Sequence, residues 1–183
     1  MAETLEILLK RCKKGDRKSQ ELLYRRFSGA MYGLCLQYAS SEEDAQDVLQ
    51  DGFVKVFAKL DQVRDPRAFP GWIRRVMVNT ALEKYRGQVM TERIEPGVNH
   101  REREVEDDVL DQMAAEDIVA LIRTLPPRYR LVFNLYAVEG YSHREISLRM
   151  GISEGTSKSN LSRARALLQK KISVLYGNRR IVK

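Results

Sequence analysis

Lys158, Arg163, Arg165, Lys170 and Lys171 crowd one segment near the end of the chain, directly after the run Ser142-His143-Arg144-Glu145 and the turn residue Gly151. Cations at that density suit phosphate oxygens, and Arg and Lys also donate to base edges in the major groove. A second basic group, Arg74, Arg75, Asn79, Lys84 and Arg86, carries the same kinds of donor, although a solvated face explains it equally well. A third group is acidic. Asp44, Asp47 and Asp51 recur at helical spacing, which places them along one helix edge, where they suit docking to a protein better than holding an ion. The carboxylates are too scattered, and the histidines, His100 and His143, too few, to assemble an active site. No CxxC motif or Cys/His cluster exists, so neither a metal nor another cofactor is expected.

The chain has 183 residues and a formal net charge of +7. That length allows one large domain or two small ones with modest cores. The charge favours a polyanionic partner, because neutralising phosphates releases condensed counterions. Cys12 and Cys35 fall among apolar helical positions and are expected to be small buried hydrophobes, not a disulfide. The start MAETLEILLKRCKKGD lacks a signal-peptide core. No apolar run approaches the roughly 18 residues of a membrane span. The expectation is a cytoplasmic protein without membrane insertion.

These groups need helices to position them. Leu5, Leu8, Leu9 and Cys12 form one amphipathic stripe, and after a break at Gly15-Asp16, Leu23, Phe27, Met31, Leu34 and Cys35 form a second. A third helix starts near Ser41, a natural cap, and aligns Leu49, Phe53, Val56, Phe57 and Leu60. A fourth, with Pro70 in its first turn, aligns Phe69, Trp72, Ile73, Val76, Met77, Thr80 and Ala81 and is expected to end near Gly87. Residues 88–113 turn polar, contain Pro96-Gly97 and become acidic, which predicts a linker, since a structureless stretch of that length is unusual inside a compact domain. Periodicity resumes with Ile118, Leu121, Ile122 and Leu125, breaks at Pro126-Pro127, and continues through Leu131, Val132, Leu135 and Tyr136. Ser142 and Glu145 have capping-box spacing, Gly151 suits the following turn, and a restart at Ser153 gives a helix–turn–helix with Ile146, Met150, Ile152 and Leu161 inside. No strand pattern competes. The fold class is all-α: two small helical domains, 1–87 and 114–183, joined by a flexible acidic linker over 88–113.

EDAQDVLQDGFVKVFAKL followed by FPGWIRRVMVNTALEKYR resembles region two of bacterial sigma factors, and LPPRYRLVFNLYAVEGYSHREISLRMGISEGTSKSNLSRARALLQKKI resembles their region four. The order and the intervening linker match too, and nothing between them resembles region three, which points to the extracytoplasmic-function (ECF) group. The resemblance implies a sigma factor that binds core RNA polymerase and directs promoter recognition, promoter melting and transcription initiation, with no catalysis of its own. It also implies an anti-sigma factor as a further partner.

Carried over to this chain, the resemblance nominates Asp47, Gln50, Asp51 and Phe53 for core-polymerase docking, with Phe53 equally suited to the core. It nominates Arg64 and Arg67 of the following loop, with Arg75, Asn79 and Lys84, for the minus-ten element of promoter DNA. At the minus-thirty-five element it nominates Lys158, Ser159, Ser162 and Arg163 for base edges and Arg144, Thr156 and Arg165 for phosphates. Two departures stand out. The family usually has a buried Val where Ser157 stands and an Arg where Asn160 stands. Ser157 is expected to weaken the packing of the recognition helix or bond back to its own backbone, and Asn160 to prefer an adenine edge. The competing readings are a free-standing helix–turn–helix regulator with a helical effector domain, and an enzyme acting on nucleic acid. The acidic and basic helices of the first half argue against the former, and the shared helix edge of the acidic residues against the latter.

Overall fold

The computed structural model describes residues 4–91 and 115–177, and all regular structure among them is helical. The chain divides into two compact units, Met1–Tyr85 and Arg86–Lys183. The greater part of the sequence-predicted linker, together with His100, lies outside the described residues.

In the first unit α1 (Leu5–Lys13) packs Leu8, Leu9 and Cys12 inward, and α2 (Arg17–Tyr38) buries Leu23, Met31, Leu34, Cys35 and Tyr38. The cysteines are free and buried, as their apolar spacing predicts. Burial pushes the Cys35 thiol up to about 12, so it behaves as a small hydrophobe. The predicted cap of α3 (Glu42–Ala58) is present: the Asp44 amide donates to Ser41 Oγ at 3.1 Å. A loop with two 3₁₀ turns, Leu60–Gln62 and Pro66–Ala68, leads to α4 (Phe69–Thr91). Phe69 is buried edge-on to Phe27, at a centroid distance of 5.1 Å. Trp72 is half-buried and lies 5.9 Å from Phe69.

Two expectations about α4 need correction. The helix continues four residues past Gly87 to Thr91; one glycine costs about 1 kcal/mol in a helix, and Gln88 and Met90 are good helix formers. Its buried surface is also wider than one stripe, because Val78, Leu82 and Tyr85 are buried beside the predicted positions. Helix α4 is central to this unit. Its contact with α3 is so close that a Cβ on Gly52 would overlap the Met77 sulfur. Met77 is itself buried and has little room to withdraw. Gly52→Ala is expected to cost about 1–3 kcal/mol by overpacking, seen as a lower urea midpoint. A midpoint indistinguishable from wild type would mean that the Met77 thioether moves aside freely.

In the second unit α5 (Ala115–Arg123) and α6 (Pro127–Phe133) lie against the later helices, and Ile122, Leu125, Ala164 and Leu168 form a buried cluster flanked by Tyr129 and Phe133. The predicted helix through Tyr136 is not regular. It widens at Asn134–Val138 into a π-helical turn, closed where the Glu139 amide donates to the Asn134 carbonyl at 3.0 Å. Then come α7 (His143–Met150) and α8 (Glu154–Gly177). Their junction follows the sequence expectation closely. The Ser142 amide donates to Glu145 Oε2 at 2.9 Å and the Glu145 amide to Ser142 Oγ at 3.3 Å, completing a capping box. Gly151 closes α7 at φ 69°, a left-handed conformation that side chains disfavour. At the start of α8 the Thr156 amide donates to Ser153 Oγ at 3.0 Å.

Candidate nucleic-acid interface

The helix–turn–helix pair buries Ile146, Met150 and Leu161 and turns Lys158 and Ser159 outward. Ser159 Oγ donates to the Thr156 carbonyl at 3.0 Å, so its hydroxyl keeps acceptor capacity for a ligand. Ser162 and Arg163 are half-buried on the flank of the same helix, Arg144 is exposed at the start of α7, and Thr156 is held by Ser153. Arg165 is exposed and places its guanidinium 5.8 Å from the centre of the Tyr136 ring.

At the two departures from the family pattern the structure differs from the adenine-edge expectation for Asn160 and from the backbone-bond alternative for Ser157. Asn160 is buried, with 3% of its surface exposed, so it cannot reach an adenine edge from this position. It follows Ser157 by three residues on the same inward face of α8. Ser157 is fully buried and does not bond to its own backbone. Its Oγ lies 2.9 Å from His143 Nδ1, a hydrogen bond joining the first turns of α7 and α8. The His143 ring stacks on Tyr136, with centroids 4.7 Å apart and planes inclined by 22°. Partial burial, followed by the nearby Lys158 ammonium, holds the His143 pKa below its ordinary value. The unfolded chain therefore takes up this proton first, and the contribution of neutral His143 to stability is present above about pH 6.5 and declines as the pH falls below it. Hydrogen-exchange protection in α7 and α8, corrected for intrinsic rates, is expected to be lower at pH 5.5 than at pH 7.5. The His143→Phe variant should lose that difference, and an equal difference in the variant would assign it to other groups.

In the first unit the acidic edge of α3 and one residue nominated for minus-ten DNA, Lys84, meet in one groove. Asp47, Gln50, Asp51 and Lys55 of α3 face Thr80, Glu83 and Lys84 of α4. Lys84 Nζ lies 3.0 Å from Asp47 Oδ2 and 3.1 Å from Asp44 Oδ1, and Lys55 pairs with Glu83 at 2.5 Å. Partial burial of the Lys84 ammonium works against its charge, and the carboxylates of Asp47 and Asp44 outweigh it, so the pKa rises. Lys84 is thus turned toward the acidic edge of α3 and is not displayed with the other residues nominated for minus-ten DNA. The reason is rotational: five residues separate it from Asn79, about 140° around a helix, whereas Arg75 and Asn79 are four apart and share a face.

Arg75 and Asn79 are exposed, as are Arg64 and Arg67 in the preceding loop. Arg75 Nε donates to the Gly71 carbonyl at 3.4 Å, and Arg67 pairs with Asp65 at 3.3 Å, both weak tethers that a ligand can displace. Phe53 also needs correction as a docking contact. It is 3% exposed and packed between Tyr24 and Phe57, with centroid distances of 4.6 and 6.0 Å, so it supports the edge from beneath. Val54, on the same edge of α3, is 68% exposed. Its spacing of seven from Asp47, four from Gln50 and three from Asp51 places it on their side of the helix. Among the described residues no cluster of His, Cys, Asp or Glu is suited to a metal, and no helix is long and apolar enough to cross a membrane.

Two family models match the chain in succession: Sigma-70 region 2 over residues 23–89 and Sigma-70, region 4 over residues 115–168. Among curated proteins, the chain is 30% identical to the ECF RNA polymerase sigma-E factor of Escherichia coli K12, covering 96% of this chain and 98% of that protein. It is 29% identical to the protein of the same description from Haemophilus influenzae, covering 96% and 100%. Among solved structures, CnrH in complex with the cytosolic domain of CnrY is 24% identical, with a TM-score of 0.48 over 92% of this chain and 96% of that one. The sigma factor RpoE in complex with the anti-sigma factor NepR from Bartonella quintana is 21% identical, with a TM-score of 0.49 over 84% and 96%.

Proposed function

The chain belongs to the sigma-70 family as an extracytoplasmic-function sigma factor that gives RNA polymerase its promoter recognition, and from that premise we propose how its residues divide the work. The exposed edge of α3, Asp47, Gln50 and Asp51 with Val54, docks on core polymerase. Arg64, Arg67, Arg75 and Asn79 meet the minus-ten element, where lifting a base from its stack costs a few kcal/mol that basic contacts and a pocket offset. Lys158 and Ser159, flanked by Ser162 and Arg163, meet base edges of the minus-thirty-five element, while Arg144, Thr156 and Arg165 lie nearer phosphates.

The observation that carries this reading is the α7–Gly151–α8 unit, with its capping box, left-handed turn and outward Lys158 and Ser159. That geometry is what a second helix needs to enter the major groove. The protein works in the cytoplasm alongside the polymerase, and no catalytic step is assigned to it. An anti-sigma partner belongs to the same proposal through family membership, without assigned residues.

Reconstitution with core polymerase, followed by sequencing of transcript starts on genomic DNA, tests the proposal. Discrete starts sharing two spaced upstream elements, absent with core alone, are expected. Starts identical to those of core alone would overturn it, and so would tight sequence-specific duplex binding by the free chain without any effect on polymerase, the behaviour of a free-standing regulator.

A further inference from the structure

The recognition helix α8 is seated near its start against one of a pair of stacked rings, His143 on Tyr136. Near its start, buried Ser157 is hydrogen-bonded to His143 Nδ1 at 2.9 Å. Two turns later Arg165 lies over Tyr136, the same ring on which His143 stacks. Lys158 and Ser159 directly follow the seated Ser157, and Ser162 stands about one turn on. A buried hydroxyl needs a partner, since leaving it unpaired forfeits the hydrogen bonds it makes in water. Apolar packing at position 157 would tolerate sliding and rotation, whereas a hydrogen bond prefers a narrow range of distance and angle. The bond therefore adds a directional constraint on the rotation of α8 about its own axis, beyond its apolar packing. With side-chain tips about 5–6 Å from the axis, a rotation of about 20° moves them by about 2 Å, enough to break a base contact of ordinary length.

We propose that His143 is a specificity-determining positioning residue: through Ser157 and Tyr136 it sets the angle at which α8 presents Lys158 and Ser159 to the upstream promoter element. His143 touches no base in this account. The inference rests on the reading of α8 as the recognition helix and adds that its seating is set by a polar bond at a position where the family pattern leads one to expect an apolar residue.

The test uses reconstituted holoenzyme on a promoter library randomised in the upstream element, with the urea midpoint of each free variant measured beside it. His143→Phe keeps a ring to stack on Tyr136 but cannot bond Ser157, Ser157→Ala removes the hydroxyl with the smallest change of volume, and His143→Gln restores a polar partner. His143→Phe and Ser157→Ala are expected to change the ranking of upstream sequences, with relative output between the wild-type optimum and its best competitor shifting at least about fivefold. His143→Gln should return part of the original ranking. In the Ser157→Ala background, Lys158→Ala should alter the ranking less than it does in wild type.

Uniformly lower output with an unchanged ranking in Ser157→Ala overturns the proposal and leaves the bond a purely structural role. The proposal falls likewise if His143→Phe fails to fold and folded Ser157→Ala keeps the wild-type ranking. Wild-type holoenzyme showing no upstream preference at all would instead sink the recognition-helix reading on which the proposal rests.

Discussion

Reversing both charges in Asp47→Arg with Asp51→Arg is expected to weaken binding to core polymerase at least tenfold while leaving the chain folded. Both residues are exposed on α3, and the buried stripe beneath them, Val48, Leu49, Phe53 and Val56, is untouched. Replacing attraction to a cationic partner surface by like-charge contact costs several kcal/mol across an interface, and each 1.4 kcal/mol is about tenfold in affinity. The two substitutions are not equivalent. Asp47 already pairs with Lys84 at 3.0 Å, so its reversal also sets an Arg beside that ammonium. No ion pair involves Asp51 among the described residues, and Asp51→Arg alone therefore reports docking without this complication. An exposed pair such as Asp47–Lys84 is worth about 0–1 kcal/mol, too little to explain a tenfold loss through local stability alone. The Lys84→Gln background separates the two effects, since Asp47→Arg should still weaken docking there. Competition binding against core, with urea unfolding beside it, gives the readout, and unchanged affinity in a folded double variant would remove the docking role from this edge.

Features set by neighbouring residues are legible in the sequence. Ser41, the Ser142–Glu145 box and Gly151 each act within about one turn of helix, so residue type and spacing determine them. The same holds for the apolar stripes that separate α1, α2 and α3. What escapes a reading of the sequence depends on how one helix is rotated against another. Lys84 belongs by sequence to the basic helix, yet its partners are Asp44 and Asp47, forty and thirty-seven residues earlier. Phe53 lies two residues from Asp51 on the same helix but on the opposite side, which turns a nominated contact into a core residue. Asn160 suggests a DNA contact because an Arg is usual there, and the inward turn of α8 buries it. Ser157 reads as a weak point for want of an apolar side chain, and only the placement of α7 reveals His143 as its partner. The π-helical turn at Asn134–Val138 has no compositional signal, since a widened turn uses the same residues as a regular one. Residue type thus locates the elements, whereas the polar partners between elements emerge only from their packing.

On the DNA-reading side, Lys158→Ala and Arg163→Ala are expected to lower transcription from the cognate promoter in a manner that depends on the upstream sequence, more so than Arg165→Ala. Lys158 and Ser159 are exposed and lead the face, and Ser162 and Arg163 follow four residues after each, about one turn on. Arg163 is half-buried on the flank, and a side chain of its length can keep its charge in water while its stem covers apolar surface. Losing a good base contact costs about 1–3 kcal/mol, and the penalty falls only on sequences offering the matching base. Arg165 stands two residues beyond Arg163, rotated by about 200°, with its guanidinium over Tyr136. From there it suits a phosphate, so its loss should act on all sequences alike and lower the salt slope of promoter binding by roughly one. Each variant is scored against a randomised upstream library at two salt concentrations, which separates the two kinds of contact. A Lys158→Ala effect confined to particular upstream bases, with an Arg165→Ala effect uniform across the library and steeply salt-dependent, is the expected pair of results. If Arg163→Ala instead reduces output equally on every upstream sequence, its side chain only positions the helix, and base reading falls to Lys158 and Ser159.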